Sequence, residues 1–481
     1  MNFLALIRLT LIFLMIMAVT MIFPLCTAFY YGEEQVYAGF LIPIVIFCVL
    51  GIAAFLIGKK NKLVIKSRTG FTLVAIMWLA ASFLGALPFV ISKTIPSFAD
   101  AFFESVSGFT TTGATILSDV EVLPRSINLW RTQMHWLGGM GIVALTVAIL
   151  PLLGVGGFKL IKAETTGPEK GKITPKIGVT AKILWFIYLG FTVVQTVLLM
   201  FAGMDFIDAI AHTFATLGTG GFSTKNASIG YYNSPLIDWI CTVFMILAGV
   251  NFSLYYKIII GKGKEVFINT ELKVYLGIIF FSILGCTILL LPQYGSFSES
   301  LRYSAFQVAS IITTTGFITD DYSLWVPSAQ MILFFLFFIG GCSGSTGGSI
   351  KVVRWAILWK QLKNEVKKMI HPHGVFAIRM NKQIVQKSVI LTVISFFVLY
   401  FILLLVTTFI GTLAGADLLT AFSASLALVG NVGPGFAAVG PVENYGFFPD
   451  IVKWWYSFAM LAGRLELYTM LIFFFPDFWK K

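Results

Sequence analysis

The chain has 481 residues, of which 58% are hydrophobic and only 12% charged, with a formal net charge of +12. Soluble domains carry about 25% charged residues, so this composition, with a mean hydropathy of +0.89, excludes a water-soluble globular protein and requires the length to be counted in membrane spans. The positive excess is spread over several short segments and forms no basic domain, so it does not suggest nucleic acid as a partner.

Reading apolar runs of about 20 residues in chain order predicts ten spans, near 3–28, 36–58, 70–92, 127–152, 180–203, 234–260, 270–291, 328–362, 385–412 and 450–475. The first carries Arg8 and runs past signal-peptide length without a convincing small-residue cleavage site, so it reads as a retained span. Spans one and two form a hairpin. After it one unit recurs four times: a span, a short amphipathic segment ending on Gly113, Gly221, Gly316 or Gly433, and a second span. The expected boundaries are 1–66 for the hairpin and 67–165, 166–265, 266–370 and 371–481 for the repeats. The expected fold is an all-α polytopic membrane protein with four pseudo-symmetric helix–pore-loop–helix repeats around one pore.

The offsets within the four segments agree. Asp100 and Asp208 stand thirteen residues before the first two glycines, and nine before the four glycines come Glu104, His212, Gln307 and Ala424. Immediately ahead lie Thr110-Thr111-Thr112, Gly218-Thr219-Gly220, Thr313-Thr314-Thr315 and Gly430-Asn431-Val432. Helix packing alone predicts small residues at four-residue spacing, and not a helical run that stops at Thr-Thr-Gly. Glycine lets backbone turn or approach a ligand closely, and non-helical backbone at membrane depth is tolerated only where protein buries it or it lines a water-filled cavity. Four such loops around one axis would present rings of carbonyl oxygens able to replace the hydration shell of a monovalent cation. The candidate cation-binding residues are therefore Thr111, Thr112, Gly113, Thr219, Gly220, Gly221, Thr314, Thr315, Gly316, Asn431, Val432 and Gly433. The fourth loop has no threonine before its glycine and the second has only Thr219. Hydroxyls can thus ring the inner end only partially, and discrimination among monovalent cations is expected to be weaker than in a strictly fourfold filter.

Charge sets the orientation. Segment 59–68 has five basic residues and no acid, and the loops near 159–182, 257–273 and 351–387 hold six, four and nine Lys or Arg. The opposite loops carry acids such as Glu33, Asp119, Asp205, Asp320 and Glu443. The positive-inside rule puts the basic loops and both termini in the cytoplasm. The four short segments then enter from outside, beneath an acidic rim that enriches cations, with the negative ends of their helix dipoles aimed inward.

Residues 340–349, GGCSGSTGGS, interrupt the eighth span with five glycines in ten positions. Each costs a helix about 1 kcal/mol against alanine, so an irregular intramembrane loop is expected there. No GK[ST] follows, which argues against a phosphate-binding loop. Arg464 falls in the middle of the tenth span, where an arginine costs at least ~2.5 kcal/mol and normally faces a cavity or a partner. Glu466, two residues on, is off its helical face. The five cysteines lie in apolar segments without CxxC spacing, and His135, His212, His371 and His373 lack a second ligand at metal spacing. His135 and His212 are expected near helix starts on the outer side. No convergent nucleophile and base suggests an enzyme.

These segments carry a family likeness. SGFTTTGAT (107–115), HWLGGMGIVAL (135–145), AETTGPEKGKITPKI (163–177), TGGFST (219–224), TTTGF (313–317), GGCSGSTGGSIKVVR (340–354), NVGPG (431–435) and GRLELYT (463–469), in this order, resemble the bacterial TrkH potassium-transport subunits, in the wider group that includes KtrB and the plant HKT transporters. The resemblance runs nearly end to end. It implies potassium as the cation, bound at the loop residues named above, whereas sodium-selecting relatives can carry serine where this chain has Gly113. It implies that the intramembrane loop, including Gly344, Ser345, Thr346, Gly347 and Gly348, obstructs the pore as a gate together with Arg464. It also implies a homodimer in the bacterial inner membrane and a cytosolic ring of TrkA-type subunits that bind NAD(H) or ATP, docked on the basic segments 159–182 and 351–387. No cofactor is expected in this chain itself, which lacks the GxGxxG context of a nucleotide-binding domain.

Two mechanisms compete. A channel-like conduit would admit potassium down the membrane potential, worth about 2.3 kcal/mol per charge per 100 mV, or roughly 50-fold accumulation. A proton- or sodium-coupled symporter is the alternative. Proton coupling usually uses titratable groups within the spans, and the sequence offers little there besides Arg464 and Glu466, which favours the conduit.

Overall fold

A computed structural model describes residues 3–57, 67–139, 141, 177–381 and 383–480. Four long helices, Ser67–Ile91, Ile177–Phe201, Thr270–Tyr294 and Lys387–Leu413, each lead into a shorter one: Phe98–Phe109, Phe206–Gly218, Phe297–Ile312 and Leu418–Val429. Three of the short helices start where a side chain caps the first turn. Ser97 accepts from the Asp100 N–H, Asp205 from Asp208 and Asp417 from Thr420. The inner ends of all four helices are buried. Their apolar and small residues face protein on every side, which explains how helices too short to cross a bilayer stay at depth.

The helix after each glycine loop packs against the short helix of the next unit. Arg125–Gly139 lies on Phe206–Gly218, Pro235–Ala248 on Phe297–Ile312, and Asp450–Arg464 on Phe98–Phe109. The remaining corner is made by Phe334 stacked on Phe422, ring centroids 6.1 Å apart. The elements therefore close into a ring in which the end of the chain meets its first third. An N-terminal pair, Phe3–Thr20 with Ile22–Tyr31 and then Glu34–Ile57, turns at Gly32 (φ 69°) and packs on Ser67–Ile91.

Two of the ten expected spans, the sixth and the tenth, are bent where no break was expected. Among the described residues six helices are long and apolar enough to cross a membrane, or eight if two bent pairs each count as one span. The sixth apolar run breaks after Ala248 and resumes at Phe252 with a bend of 92°, because Gly249 and Val250 leave the helix and Asn251 caps a new one through the Ser253 N–H, 2.8 Å. The tenth breaks after Arg464 with a bend of 119°, where Glu466 and Leu467 take left-handed φ of 56° and 57°. Arg464 is thus the last residue of a helix and not the middle of a span. The eighth run divides into Pro327–Leu336 and Val352–Ile370 around the glycine-rich segment, as its composition predicts. Beyond Gly139 the fourth run lies outside the described residues, as do most of the basic segments 59–68 and 159–182. Arg379–Met380 and Gln383–Ile384 form a two-residue antiparallel pairing.

Close approach of backbone is built into this packing. A Cβ on Gly138 would collide with the Phe109 carbonyl, whereas a Cβ on Gly190 would meet nothing within 4 Å. Gly138→Ala is expected to destabilise the fold by about 1–3 kcal/mol through overpacking, and Gly190→Ala to be neutral or stabilising by up to ~1 kcal/mol through helix propensity. Thermal unfolding in detergent checks both, and equal melting temperatures for the two variants would contradict the packing described.

Candidate cation pathway

Each short helix ends in the same backbone turn. Two residues before each glycine, Thr111, Thr219, Thr314 and Asn431 have φ of 53°, 55°, 59° and 53°, and Gly113, Gly221, Gly316 and Gly433 have φ of 79°, 77°, 80° and 98°. A left-handed threonine is rare because its branched Cβ crowds the backbone, and such strain persists only where the surroundings enforce it. Three occur here at equivalent places.

The loops touch in rotation. A Cβ on Gly113 would overlap the Gly220 carbonyl oxygen, one on Gly221 that of Thr315, one on Gly316 that of Val432, and one on Gly433 would lie 2.5 Å from that of Thr112. Each glycine thus abuts the carbonyl that precedes the next loop's glycine, and the fourth closes on the first. Glycine is required at all four positions both for conformation and for contact. All twelve candidate loop residues are brought together in this ring.

Side chains behind the ring fix the limb that follows each glycine. Glu104 accepts from the Thr115 hydroxyl at 3.0 Å and the Ile116 N–H at 3.1 Å. His212 reaches the Ser223 hydroxyl through Nε2 at 2.9 Å. Gln307 donates to the Asp320 carbonyl at 3.1 Å. Ala424 has no polar atom to offer, and the adjacent Ser423 replaces it by donating to the Phe436 carbonyl and accepting from the Phe436 N–H, 3.0 and 3.1 Å. Three of the four positions nine residues before the glycines are therefore braces. His135 is also one: its Nδ1 lies 2.8 Å from the Gly108 carbonyl and its Nε2 accepts from the Phe222 N–H, which fixes the Nδ1–H tautomer. Both histidines are fully buried within helices, which corrects their expected place near helix starts.

The sequence reading missed the pair that Glu104 makes with Arg131, 2.7 Å apart and 0% and 1% exposed. Arg131 also sits 4.2 Å over the Phe222 ring, joining the first two loops. Arg125–Gly139 is hardly apolar enough to read as a span, and an arginine in such a helix gave the only available signal. Outside the ring lies a cavity of about 130 Å³ lined by the four glycines, Lys225 and Glu443 among others. At its rim the Asn226 amide and the Glu121 N–H hold the Asp119 carboxyl below the usual carboxylate range, so it stays ionised in mild acid.

On the inner side the glycine-rich segment 340–349 runs directly against the ring. The Gly348 N–H donates to the Thr314 hydroxyl at 2.6 Å and the Ser349 N–H to the Gly430 carbonyl at 2.8 Å. Arg464 donates to the Thr346 carbonyl at 2.7 Å and the Gly138 carbonyl at 2.8 Å. Thr346, Gly347 and Gly348 thus lie under the ring. Ser345 is near Lys351 at 3.4 Å, and Gly344 turns (φ 74°) against Asn251.

The ionisable groups here outnumber those expected. Lys351, 2% exposed, donates to the Gly347 carbonyl. Glu271, 3% exposed, accepts from the Ser343 and Val353 N–H groups at 2.6 and 3.2 Å. Glu466 pairs with Arg354. A paucity of titratable groups therefore does not argue for a conduit. The groups at the loop are engaged in holding it.

Residues 37–481 match the TrkH family, described as a cation transport protein. The chain is 39% identical, with all of both chains covered, to the Trk system potassium uptake protein TrkH of Escherichia coli K12. It is 36% identical, over 96% of each chain, to the Trk system potassium uptake protein TrkG of the same organism. The crystal structure of the potassium transporter TrkH from Vibrio parahaemolyticus matches with a TM-score of 0.88 at 37% identity, both chains covered in full. This chain is a multi-pass membrane protein that belongs to the TrkH family of cation transport proteins.

Proposed function

We propose that this chain takes up potassium across the bacterial cytoplasmic membrane through a channel-like pore whose selectivity filter is the ring of Thr112, Gly220, Thr315 and Val432 carbonyls with their neighbouring glycines. The single observation that carries the reading is the cyclic contact of each glycine with the next loop's carbonyl. Carbonyls held in such a ring can replace water around a monovalent cation, and the relatives named as potassium uptake proteins support potassium as that cation. Segment 340–349, held by Arg464 and pressed against the ring, is the gate. In this reading the units 67–165, 166–265, 266–370 and 371–481 each contribute one quarter of the pore, and the basic inner loops and both termini face the cytoplasm. The chain works as a homodimer with a cytosolic nucleotide-binding subunit, for which the exposed basic helix Val352–Ile370 offers a docking face.

Flux of potassium, rubidium, sodium and lithium into liposomes containing this chain, with and without an imposed proton gradient, tests the function directly. Selective potassium and rubidium uptake driven by voltage is expected, unchanged by an imposed proton gradient. Flux that needs the proton gradient would instead support symport.

Two substitutions probe the parts. Gly113→Ser forces a side chain into φ 79° against the Gly220 carbonyl. With strain of about 1–3 kcal/mol at such a site, the potassium-to-sodium permeability ratio is expected to fall at least about fivefold in bi-ionic flux assays. Arg464→Ala removes charge-assisted hydrogen bonds to the loop, worth about 1.5–3 kcal/mol, and is expected to raise basal flux about tenfold or more. An unchanged flux in folded Arg464→Ala protein would remove Arg464 from the gate.

A further inference from the structure

At the inner end of the ring the residues two before each glycine are not equivalent in what their side-chain oxygens do. The Thr219 hydroxyl donates to the Gly218 carbonyl at 2.6 Å. The Thr314 hydroxyl oxygen accepts from the Gly348 N–H of the intramembrane loop at 2.6 Å. Thr111 Oγ1 and Asn431 Oδ1 are buried and have no hydrogen-bond partner among the described residues. These two belong to adjacent corners of the ring, since the Asn431 amide nitrogen donates to the Thr112 hydroxyl at 2.9 Å.

The loop makes a second contact of the Thr314 kind. Its Ser349 N–H donates to the Gly430 carbonyl at 2.8 Å, the carbonyl that ends the fourth short helix, where the helix dipole is negative. Gly347 lies beside the Thr313 carbonyl, 2.9 Å from where its Cβ would stand. The inner face of the ring thus offers a set of oxygens of which the loop's amides occupy the third and fourth corners. The oxygens left over, Asn431 Oδ1 and Thr111 Oγ1 at the fourth and first corners, have no hydrogen-bond donor among the described residues. Leaving buried acceptors unpaired is costly, and a monovalent cation is the partner that oxygens in this arrangement suit.

We propose that the permeating cation and the intramembrane loop compete for these inner oxygens, so that a cation held by Thr111, Asn431 and Thr314 displaces the Gly348 N–H and releases the loop. This rests on the reading of the ring as a cation filter. The Thr314 oxygen has two lone pairs, but the positive end of the Gly348 N–H and a cation drawn to the same oxygen repel each other, so a cation bound there weakens the loop's bond. Arg464, which grips the loop through the Thr346 carbonyl, adds a like charge that an arriving cation repels. Gate opening is then coupled to filter occupancy without any separate effector, and potassium favours its own passage.

Thr346 is 1% exposed in the closed loop, so a cysteine there reports opening. The experiment measures modification of Thr346→Cys by a water-soluble thiol reagent, in liposomes, with the five native cysteines replaced. Potassium is compared with N-methylglucamine at equal ionic strength. Potassium is expected to speed labelling roughly fivefold, the worth of about one hydrogen bond. Adding Thr314→Val, which deprives the Gly348 N–H of its acceptor, should give fast labelling in both salts. Adding Thr314→Ser, which keeps the hydroxyl, should retain the potassium response and controls for folding. Labelling that is equal in the two salts, or slowed by potassium, overturns the proposal. Cation selectivity of flux is measured on the same vesicles: its absence would bring down the filter reading itself, whereas selective flux with potassium-independent labelling would bring down only the competition.

Discussion

The centre of this molecule depends on bringing four lengths of non-helical backbone into contact where bulk water cannot satisfy their polar groups. Every feature nearby answers that constraint. Side chains absent at Gly113, Gly221, Gly316 and Gly433 allow the contacts. The braces Glu104, Gln307 and Ser423 occupy N–H or carbonyl groups of the limbs beyond the glycines, and His212 the Ser223 hydroxyl. Hydroxyls close the turns from behind, as where Thr110 donates to the Val106 carbonyl and Thr313 to the Ala309 carbonyl, both at 2.7 Å. With these groups taken, the Thr112, Gly220, Thr315 and Val432 carbonyls lie against the glycine of the adjoining loop.

The same constraint explains the buried charge. Isolated charges in such surroundings are expensive, and removing one partner of a buried pair typically costs 3–5 kcal/mol. Glu104 and Arg131 therefore come together, and Lys453 meets Asp100 at 2.5 Å between the last helix and the first short helix. Arg464 and Lys351 instead hold backbone carbonyls of the glycine-rich loop. Ion pairs fix the walls, and Arg464, Lys351 and Glu271 together fix the glycine-rich segment. That segment has few side chains with which to hold itself, so its position is set by groups on other elements.

Much of the fold was legible because its signals are local. Glycine spacing marked the four turns, and the half-helices before them were marked by being too short to cross a bilayer. The density of glycine at 340–349 predicted a break that is found. The breaks at Gly249–Asn251 and Leu465–Leu467 were not legible, because no dense run of glycine marks either bend and the deciding contacts are distant: the Cys342 N–H donates to the Gly249 carbonyl, 2.8 Å. Lys351 and Arg354 read as cytoplasmic positive charge, yet they fold back under the ring. Glu104 and His212 were noticed by offset, but their role as braces depends on residues eleven or twelve positions onward that only the tertiary turn brings back. Single-sequence periodicity shows which faces are apolar. It does not show which polar groups meet.

Closure of the ring has a consequence for how the chain is made. Asn431 and Thr112 stand 319 residues apart in sequence, and Arg464 and Gly138 326. Contacts of such separation form late, because most of the chain must exist before they reward the ordering they demand. During synthesis the first loop emerges without the fourth, whose Gly433 adjoins its Thr112 carbonyl in the finished ring. Three quarters of the ring must wait in the bilayer for the fourth. The ring of contacts is thus closed late, when the loop that carries Gly433 comes to lie against the Thr112 carbonyl made long before it.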